Sequence, residues 1–389
     1  MMFWKRRIYA DAAAATPLSS RAKRELLRLL GVYGNAGALH SEAQQAKKEL
    51  EKARASIAHS IGAHPDEIVF TASGTEANNL AIGGVLRPLL RQDDDVHAIT
   101  LSIEHQSILE PLYALQRDGL EVSEVGVQPD GTVFPNTLVE SIKPTTRFVS
   151  VQLVNSEIGT IVPLKEIAKG VRRAKQRIYL HTDASQAPLW QEINVEKLGV
   201  DLMTLDGQKI LGPKGIGVLY IKRGTPIEPI LWGGSQESGV RGGTENIPHI
   251  GAFAVALADA QKGVARRVQK VSDVRDYLWS EIKKAIPDAI WHGPQKEERV
   301  ANNINISIPG LDGEMAVVSM DTLGVALSTR SACSTGNEEP SHVITALGVE
   351  KSIAKSAIRI TLLPGATRGE ARRIVAALTE TIGRYRIRA

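Results

Sequence analysis

Lys209 sits in "DGQKILGPKGIG", one amine surrounded by glycines. Glycine lets backbone approach closely, and an amine partly stripped of water is easier to hold uncharged, as condensation with a carbonyl requires. Composition alone would make it a solvated surface lysine; the flanks argue otherwise. Three further polar clusters follow short apolar runs: Ser73-Gly74-Thr75 after "EIVFTA", Glu104-His105 after "HAITLS", and Asp183-Ala184-Ser185-Gln186 after "RIYLHT". If those runs are strands of an open parallel sheet, the clusters lie at their carboxyl ends, where such sheets bind ligands. Ser-Gly-Thr at a helix start offers free N–H groups and a positive dipole end to a phosphate, although a plain N-cap accounts for the same residues. His105 alone reads equally as a core or surface histidine. The lone cysteine, Cys333, lies in "STRSACSTGN", among Ser331, Ala332, Ser334 and Thr335. An inert buried thiol wants apolar neighbours, and an accessible nucleophile does not.

Taken together, a phosphate seat, a histidine, an aspartate and a glycine-flanked lysine describe pyridoxal 5'-phosphate chemistry. The lysine forms the Schiff base, and the aspartate keeps the pyridine nitrogen protonated so that the ring accepts electrons from the substrate Cα.

Such residues need a scaffold. In "SEAQQAKKELEKARASIAHSIG", Ala43, Ala46, Leu50, Ala53, Ile57 and Ile61 recur at steps of three or four, which predicts an amphipathic helix. Strands are expected at 67–72, 97–102, 147–154, 177–183, 200–206 and 217–222, several separated by helical runs such as "LKEIAKGVRRAKQ". Alternation of this kind predicts an α/β fold with a mostly parallel sheet. Beyond about Ile247 a long helical pattern leads into "ANNINISIPG", "VALST" and "AIRITLL", which alternate with helices such as "RGEARRIVAALTETIGRYR" and suggest a smaller α+β domain.

Bulk properties narrow the function. The 389 residues are 43% hydrophobic and 23% charged, ordinary for a globular chain, and no apolar run approaches the roughly 20 residues that span a bilayer. Asp11 interrupts the basic N-terminus, so neither a secretory signal nor a membrane partner is expected, and a cytoplasmic location is. One cysteine forms no internal disulfide and no cysteine-rich metal site; no metal is expected. The net charge of +4 is mild and its basic residues are interspersed with acids, so no direct nucleic-acid binding is expected.

The segments "YADAAAATP", "GNAGALHSEA", "FTASGTEANNLAI", "EHQSIL", "VNSEIGT", "HTDASQ", "DGQKILGPKGIG", "GGTEN", "STRSACSTGNEEPSHV" and "IRITL" resemble, in order and spacing, those of cysteine desulfurases, pyridoxal-phosphate enzymes of the class V aminotransferase family. The resemblance implies fold type I of the PLP-dependent transferases. Residues 12–256 would form a large domain on a mostly parallel seven-stranded sheet. Residues 1–11 and 257–389 would form a small domain carrying a mobile cysteine loop at about 326–338. It also implies that Lys209 forms the Schiff base, Asp183 pairs with the pyridinium nitrogen, Gln186 reaches the ring hydroxyl and His105 stacks on the ring and assists proton transfer. Gly74, Thr75 and Gln208 would serve the phosphate, together with Thr244 from the neighbouring subunit of a homodimer. Asn35 and Arg359 would hold the substrate carboxylate, and Cys333 would attack the sulfur of L-cysteine, leaving L-alanine and a persulfide. That sulfur would pass to an acceptor protein for iron–sulfur clusters or tRNA thiolation.

Three cofactor positions depart from the family pattern: Ser156 stands for an asparagine, Gln208 for a histidine and Asp206 for a serine. A carboxylate beside a phosphate needs a cation between them, and Arg241 is the expected partner of Asp206. The end at "RYRIRA" leads one to expect no tail for docking an iron–sulfur scaffold. Two other functions remain open at this point: another enzyme of the same fold, such as a selenocysteine lyase or an aminotransferase, which needs no Cys333, and a scaffold whose cofactor site has drifted.

Overall fold

The computed structural model describes residues 7–92, 95–329 and 339–385. Its strands in chain order are β1 (Ile8–Tyr9), β2 (Ile68–Thr71), β3 (His97–Leu101), β4 (Glu121–Val125), β5 (Thr146–Ser150), β6 (Tyr179–Asp183), β7 (Leu202–Asp206), β8 (Gly217–Ile221), β9 (Ile290–Trp291), β10 (Asn303–Ser307), β11 (Val325–Ala326) and β12 (Ala357–Thr361). Seven of them form the main sheet in the order β2-β8-β7-β6-β5-β3-β4. Only β8 runs against its neighbours; the remaining pairs are parallel. The mostly parallel seven-stranded α/β sheet is therefore as expected. A second, antiparallel sheet has the order β12-β10-β9, and β1 pairs in parallel with β11.

The strands were visible as unbroken apolar runs because the sheet is covered on both faces. Successive residues serve opposite faces. Ala98, Phe148, Leu202 and Leu219 join one apolar cluster with Leu80 and Leu112 of the helices α3 and α4 described below. Ile99, Val149, Met203 and Val218 join the other, larger cluster. Strand β4 escaped the sequence pattern because it is an edge strand whose "EVSEV" is mostly part-exposed. The regular strand in the run expected at 147–154 ends at Ser150, although Val151 and Leu153 N–H still donate to the His181 and Asp183 carbonyls and Val151 to Val154 stay buried. The helical run from Leu164 ends at Val171, short of its expected length.

Four helices matter for the site: α1 (Ser20–Leu29), α2 (Ser41–Ile61), α3 (Gly74–Leu90) and α4 (Gln106–Gln116). All six apolar positions expected on one face of α2 are buried. The helix stops at Gly62, whose φ of 70° is the left-handed cap that glycine adopts without strain. Among the described residues no helix is long and apolar enough to cross a membrane.

Candidate active site

Strands β2, β3, β6 and β7 end on one side of the main sheet, and each is followed by one of the polar clusters. A cavity of about 240 Å³ opens there, lined by Gly74, Thr75, His105, Asp183, Gln186, Gln208, Lys209 and Arg359. The structure thus brings eight of the expected site residues together. Ser156 and Asp206 line the same cavity. Asn35 and Thr244 do not. Asn35 borders a separate hollow with Arg54, Glu237 and Glu245, and Thr244 is exposed on the adjoining segment. Cys333 lies outside the described residues.

Lys209 ends a tight turn, Gly207–Lys209, directly after β7. Its Nζ donates to the carbonyls of Ala13 at 2.9 Å and Ala14 at 2.5 Å. Gln186 Nε2 donates to the same Ala13 carbonyl at 2.9 Å. The N-terminal segment is laced to the turn by Thr16, whose N–H and Oγ1 both donate to Gln208 O at 2.7 Å. The close approach that the glycines suggested is real at Gly217, where a Cβ would lie 2.4 Å from the Ser73 carbonyl carbon. A side chain there would push β8 away from the start of α3.

Ser73 caps α3, its Oγ accepting from Glu76 N–H, so the N-cap reading holds for that residue. The next amide, Gly74 N–H, donates to Asp206 Oδ2 at 3.2 Å, while Asp206 Oδ1 accepts from Gln208 N–H at 2.9 Å. Arg241 is not the partner of Asp206, contrary to expectation. Its Nε donates to Glu76 Oε1 at 2.8 Å, because Glu76 stands in the first turn of α3, where Arg241 reaches it, while backbone amides already satisfy Asp206.

Asp183 has a donor on each oxygen: Ser185 N–H on Oδ1 and Asn78 Nδ2 on Oδ2, both at 2.9 Å. Arg359 is 1% exposed. Its Nη2 donates to Asp11 Oδ1 at 2.9 Å and its Nη1 to Ser156 O at 3.2 Å. Its Nε and the Oδ1 of Asn78 are buried without a hydrogen-bond partner among the described residues.

Burial is the first cause pushing His105 below its usual value; Asp183 and Glu157 oppose the shift, and Lys209 and His342 add to it. Glu104 is fully buried. Its Oε1 accepts from Gln152 N–H at 2.7 Å; desolvation pushes its carboxyl well above the usual range, the Gln152 hydrogen bond opposes the shift and Asp183 adds to it.

Both flanks of the segment that holds Cys333 are pinned to residues that line this cavity or are chain neighbours of those that do. Ser328 and Arg359 exchange backbone hydrogen bonds. On the far side, Ser341 Oγ donates to Glu157 Oε2 at 2.5 Å, and His342 Nε2 donates to Glu104 O at 2.9 Å.

The donor set fits pyridoxal 5'-phosphate: an amine, a carboxylate held by two N–H groups, a helix start and a buried guanidinium share one cavity. Sequence reasoning missed Asn78, Ser107 and Asp11. Asn78 had a readable signal, since it follows Gly74 by four residues and so lies one turn along the same helix face.

Residues 8–374 match the family described as Aminotransferase class-V. The chain is 39% identical over 359 residues to a cysteine desulfurase IscS of Dictyoglomus turgidum, covering 92% of this chain and 90% of that one. A solved NifS-like protein superposes with a TM-score of 0.91 at 30% identity, covering 97% and 99% of the two chains. A structure described as SspA in complex with cysteine superposes with a TM-score of 0.79 at 30% identity, covering 92% and 100%.

Proposed function

Because the chain belongs to the class V aminotransferase family, we propose that it is a cysteine desulfurase, converting L-cysteine to L-alanine and transferring the sulfur to Cys333. When bound, pyridoxal 5'-phosphate supplies a carbonyl to capture the substrate amine and an electron sink for the bonds changed at Cα and Cβ. Lys209 holds the cofactor and then, as a free amine, takes the α-proton at Nζ. Asp183, anchored by Asn78 and Ser185, pairs with the ring nitrogen. Gln186 and Ser156 serve the ring-hydroxyl side, and Gly74, Thr75 and Gln208 serve the phosphate. His105 covers the ring face. Arg359 binds the substrate carboxylate as a two-pronged donor, and its unpartnered Nε is the donor available for that task.

Sulfur transfer then needs only a thiolate. Cys333 Sγ bonds to the substrate sulfur as the Cβ–S bond breaks. The electron pair stays on carbon, which takes a proton and becomes the methyl group of alanine, while the sulfur leaves as a persulfide on Cys333. The observation that carries the reading is that Lys209, Asp183, His105 and Arg359 share one cavity, with the flanks of the cysteine segment tethered to Arg359 and to Glu157 and Glu104, the chain neighbours of the lining residues Ser156 and His105.

Finer statements go with it. The protein acts as a homodimer, with Asn35 and Thr244 serving a site shared between subunits. Support comes from the face that carries them, where Tyr33, Leu39 and Trp232 are 81%, 91% and 77% exposed. The cofactor domain is residues 12–256, with the cysteine arm on the remainder, and a reducing cytoplasm keeps the lone thiol nucleophilic. The acceptor is a protein able to take sulfane sulfur, for iron–sulfur clusters or tRNA thiolation.

The test is the stoichiometric appearance of alanine from cysteine with a reductant present. Wild-type protein should form it; Lys209→Ala should form none. Cys333→Ala should lose persulfide transfer, detected by mass on the peptide bearing residue 333. Amino transfer persisting in Cys333→Ala, without sulfur release in the wild type, would overturn the reading. Trp232→Glu should shift the protein to monomer in sedimentation and lose activity in parallel.

A further inference from the structure

An unbroken chain of hydrogen bonds runs from the carboxylate that faces the ring nitrogen to the histidine assigned to the ring face. Asn78 Nδ2 donates one N–H to Asp183 Oδ2 at 2.9 Å and the other to Ser107 Oγ at 2.8 Å. Ser107 Oγ lies 2.8 Å from His105 Nδ1, and Ser107 N–H also donates to Nδ1, at 3.1 Å. Asn78 is fully buried and Ser107 nearly so, and all four residues line the cavity.

Each link fixes the next. A carboxylate accepts and does not donate, so the amide of Asn78 must turn its NH₂ toward Asp183. The second N–H of that group then meets Ser107 Oγ, whose own hydrogen must point elsewhere. His105 is the N-cap of α4, and its Nδ1 already receives the Ser107 backbone N–H, so Nδ1 cannot carry a proton facing that donor. The Ser107 hydroxyl therefore donates to Nδ1 as well. Two donors converge on one lone pair, and the single proton of the neutral ring is left on Nε2.

From this geometry we infer that Asn78 and Ser107 are positioning residues that hold His105 as the neutral, Nε2-protonated tautomer, under the control of the Asp183 carboxylate. The inference rests on the assignment of His105 to the reaction, but its test does not. Protonating Nδ1 would set it against two N–H and O–H donors and against the positive end of α4. The charged groups around the ring do not settle the matter among themselves. Asp183, at the end of β6, and Glu157, in the turn after β5, favour a proton. Lys209, after β7, and His342, in the helix His342–Ala346, oppose one; Arg359, on β12, is a further cation lining the same cavity, and burial pushes the Glu104 carboxyl, just before the ring, well above its usual range. Burial, the largest cause, disfavours the charged ring, and the relay decides which nitrogen keeps the one remaining proton.

Nitrogen NMR of ¹⁵N-histidine-labelled holoenzyme, with a His105→Gln sample to assign the signals, reads the tautomer directly. The wild type should show Nδ1 bare and Nε2 protonated through neutral pH. Ser107→Ala removes a donor and Asn78→Ala frees the Ser107 oxygen to accept. Each should raise the His105 midpoint by about one pH unit, and Ser107→Thr should restore it. The acid limb of kcat/KM should move up by the same amount in both alanine variants. Ser107→Ala leaves the Asn78–Asp183 bond in place, so it stays informative even if Asn78→Ala fails to fold. A wild-type Nδ1–H signal, or no change of midpoint in Ser107→Ala, would overturn the inference. Shifted nitrogens with an unmoved kcat/KM profile would uphold the relay and remove His105 from the reaction instead.

Discussion

Asp206 stands where a carboxylate is least welcome, on the first amide of α3. It accepts the Gly74 N–H that a phosphate would otherwise draw on, and a Cβ at Gly74 would lie 3.0 Å from Asp206 Oδ2. Asp206→Ser removes a negative charge and frees that amide, so pyridoxal phosphate should bind about tenfold more tightly, the worth of one charge-assisted hydrogen bond. A fluorescence titration of apoprotein with the cofactor measures this, and equal affinities in both proteins would show that the carboxylate does not face the phosphate. At this scale the sequence was legible where side chains act and opaque where backbone does. Lys209 and Asp183 could be read from their types and flanks, whereas Arg359 came only from the family resemblance. The partners of Asp206 could not, because two of its donors are backbone amides that every residue possesses, the third is the side chain of the nearby Gln208, and Arg241 reaches Glu76 instead. Asn78 and Ser107 were hidden because a buried asparagine on a helix looks in sequence like a solvated one.

Elements set these residues in place, and the segment at 233–246 shows how. Glu237 is buried, accepts from Arg54 Nη1 and Nη2 at 2.9 Å and from Phe70 N–H at 3.0 Å, and so ties that segment to α2 and β2. It does so with left-handed backbone at Glu237 and Ser238, φ 46° and 57°, conformations that non-glycine residues hold only under restraint. Glu237→Leu strands the Arg54 charge in the interior and should cost about 3–5 kcal/mol in urea unfolding. A loss below 1 kcal/mol would mean that the pair is not the restraint. Periodicity revealed α2 and the strands buried throughout, including the edge strand β2. It missed β4, whose part-exposed "EVSEV" owes its place to hydrogen bonds with β3 rather than to its own composition.

At the scale of the molecule, buried histidines couple stability to pH. His292 is held down to about 4, mainly by burial and further by Arg299, and its Nε2 meets Ser307 Oγ at 2.7 Å. Above its unfolded value of 6.5 the ring is neutral in both states and contributes no slope. As pH falls from there toward 4, the unfolded chain takes up a proton that the folded one refuses, and stability drops by about 1.4 kcal/mol per unit for this group. His292→Asn should remove that slope from unfolding free energies measured across the window, leaving the curve above pH 7 parallel to wild type. Identical slopes would place the acid sensitivity elsewhere, for instance at His181, which burial likewise holds near 4. The overall architecture was the most legible level of all, since alternating strands and helices admit few ways to cover a parallel sheet. The mutual placement of the two sheets was not, because it depends on residues near the beginning of the chain that carry little pattern.

Those residues act as a suture. Ile8 and Tyr9 pair with Val325 and Ala326, Asp11 bridges to Thr361 beside the guanidinium strand, and the carbonyls of Ala13 and Ala14 receive the amine while Thr16 grips its turn. The nine residues Ile8 to Thr16 thus thread both halves of the catalytic apparatus on one stretch of backbone. Proteolytic trimming through Thr16 would unstitch amine from guanidinium at one stroke, even though it deletes neither.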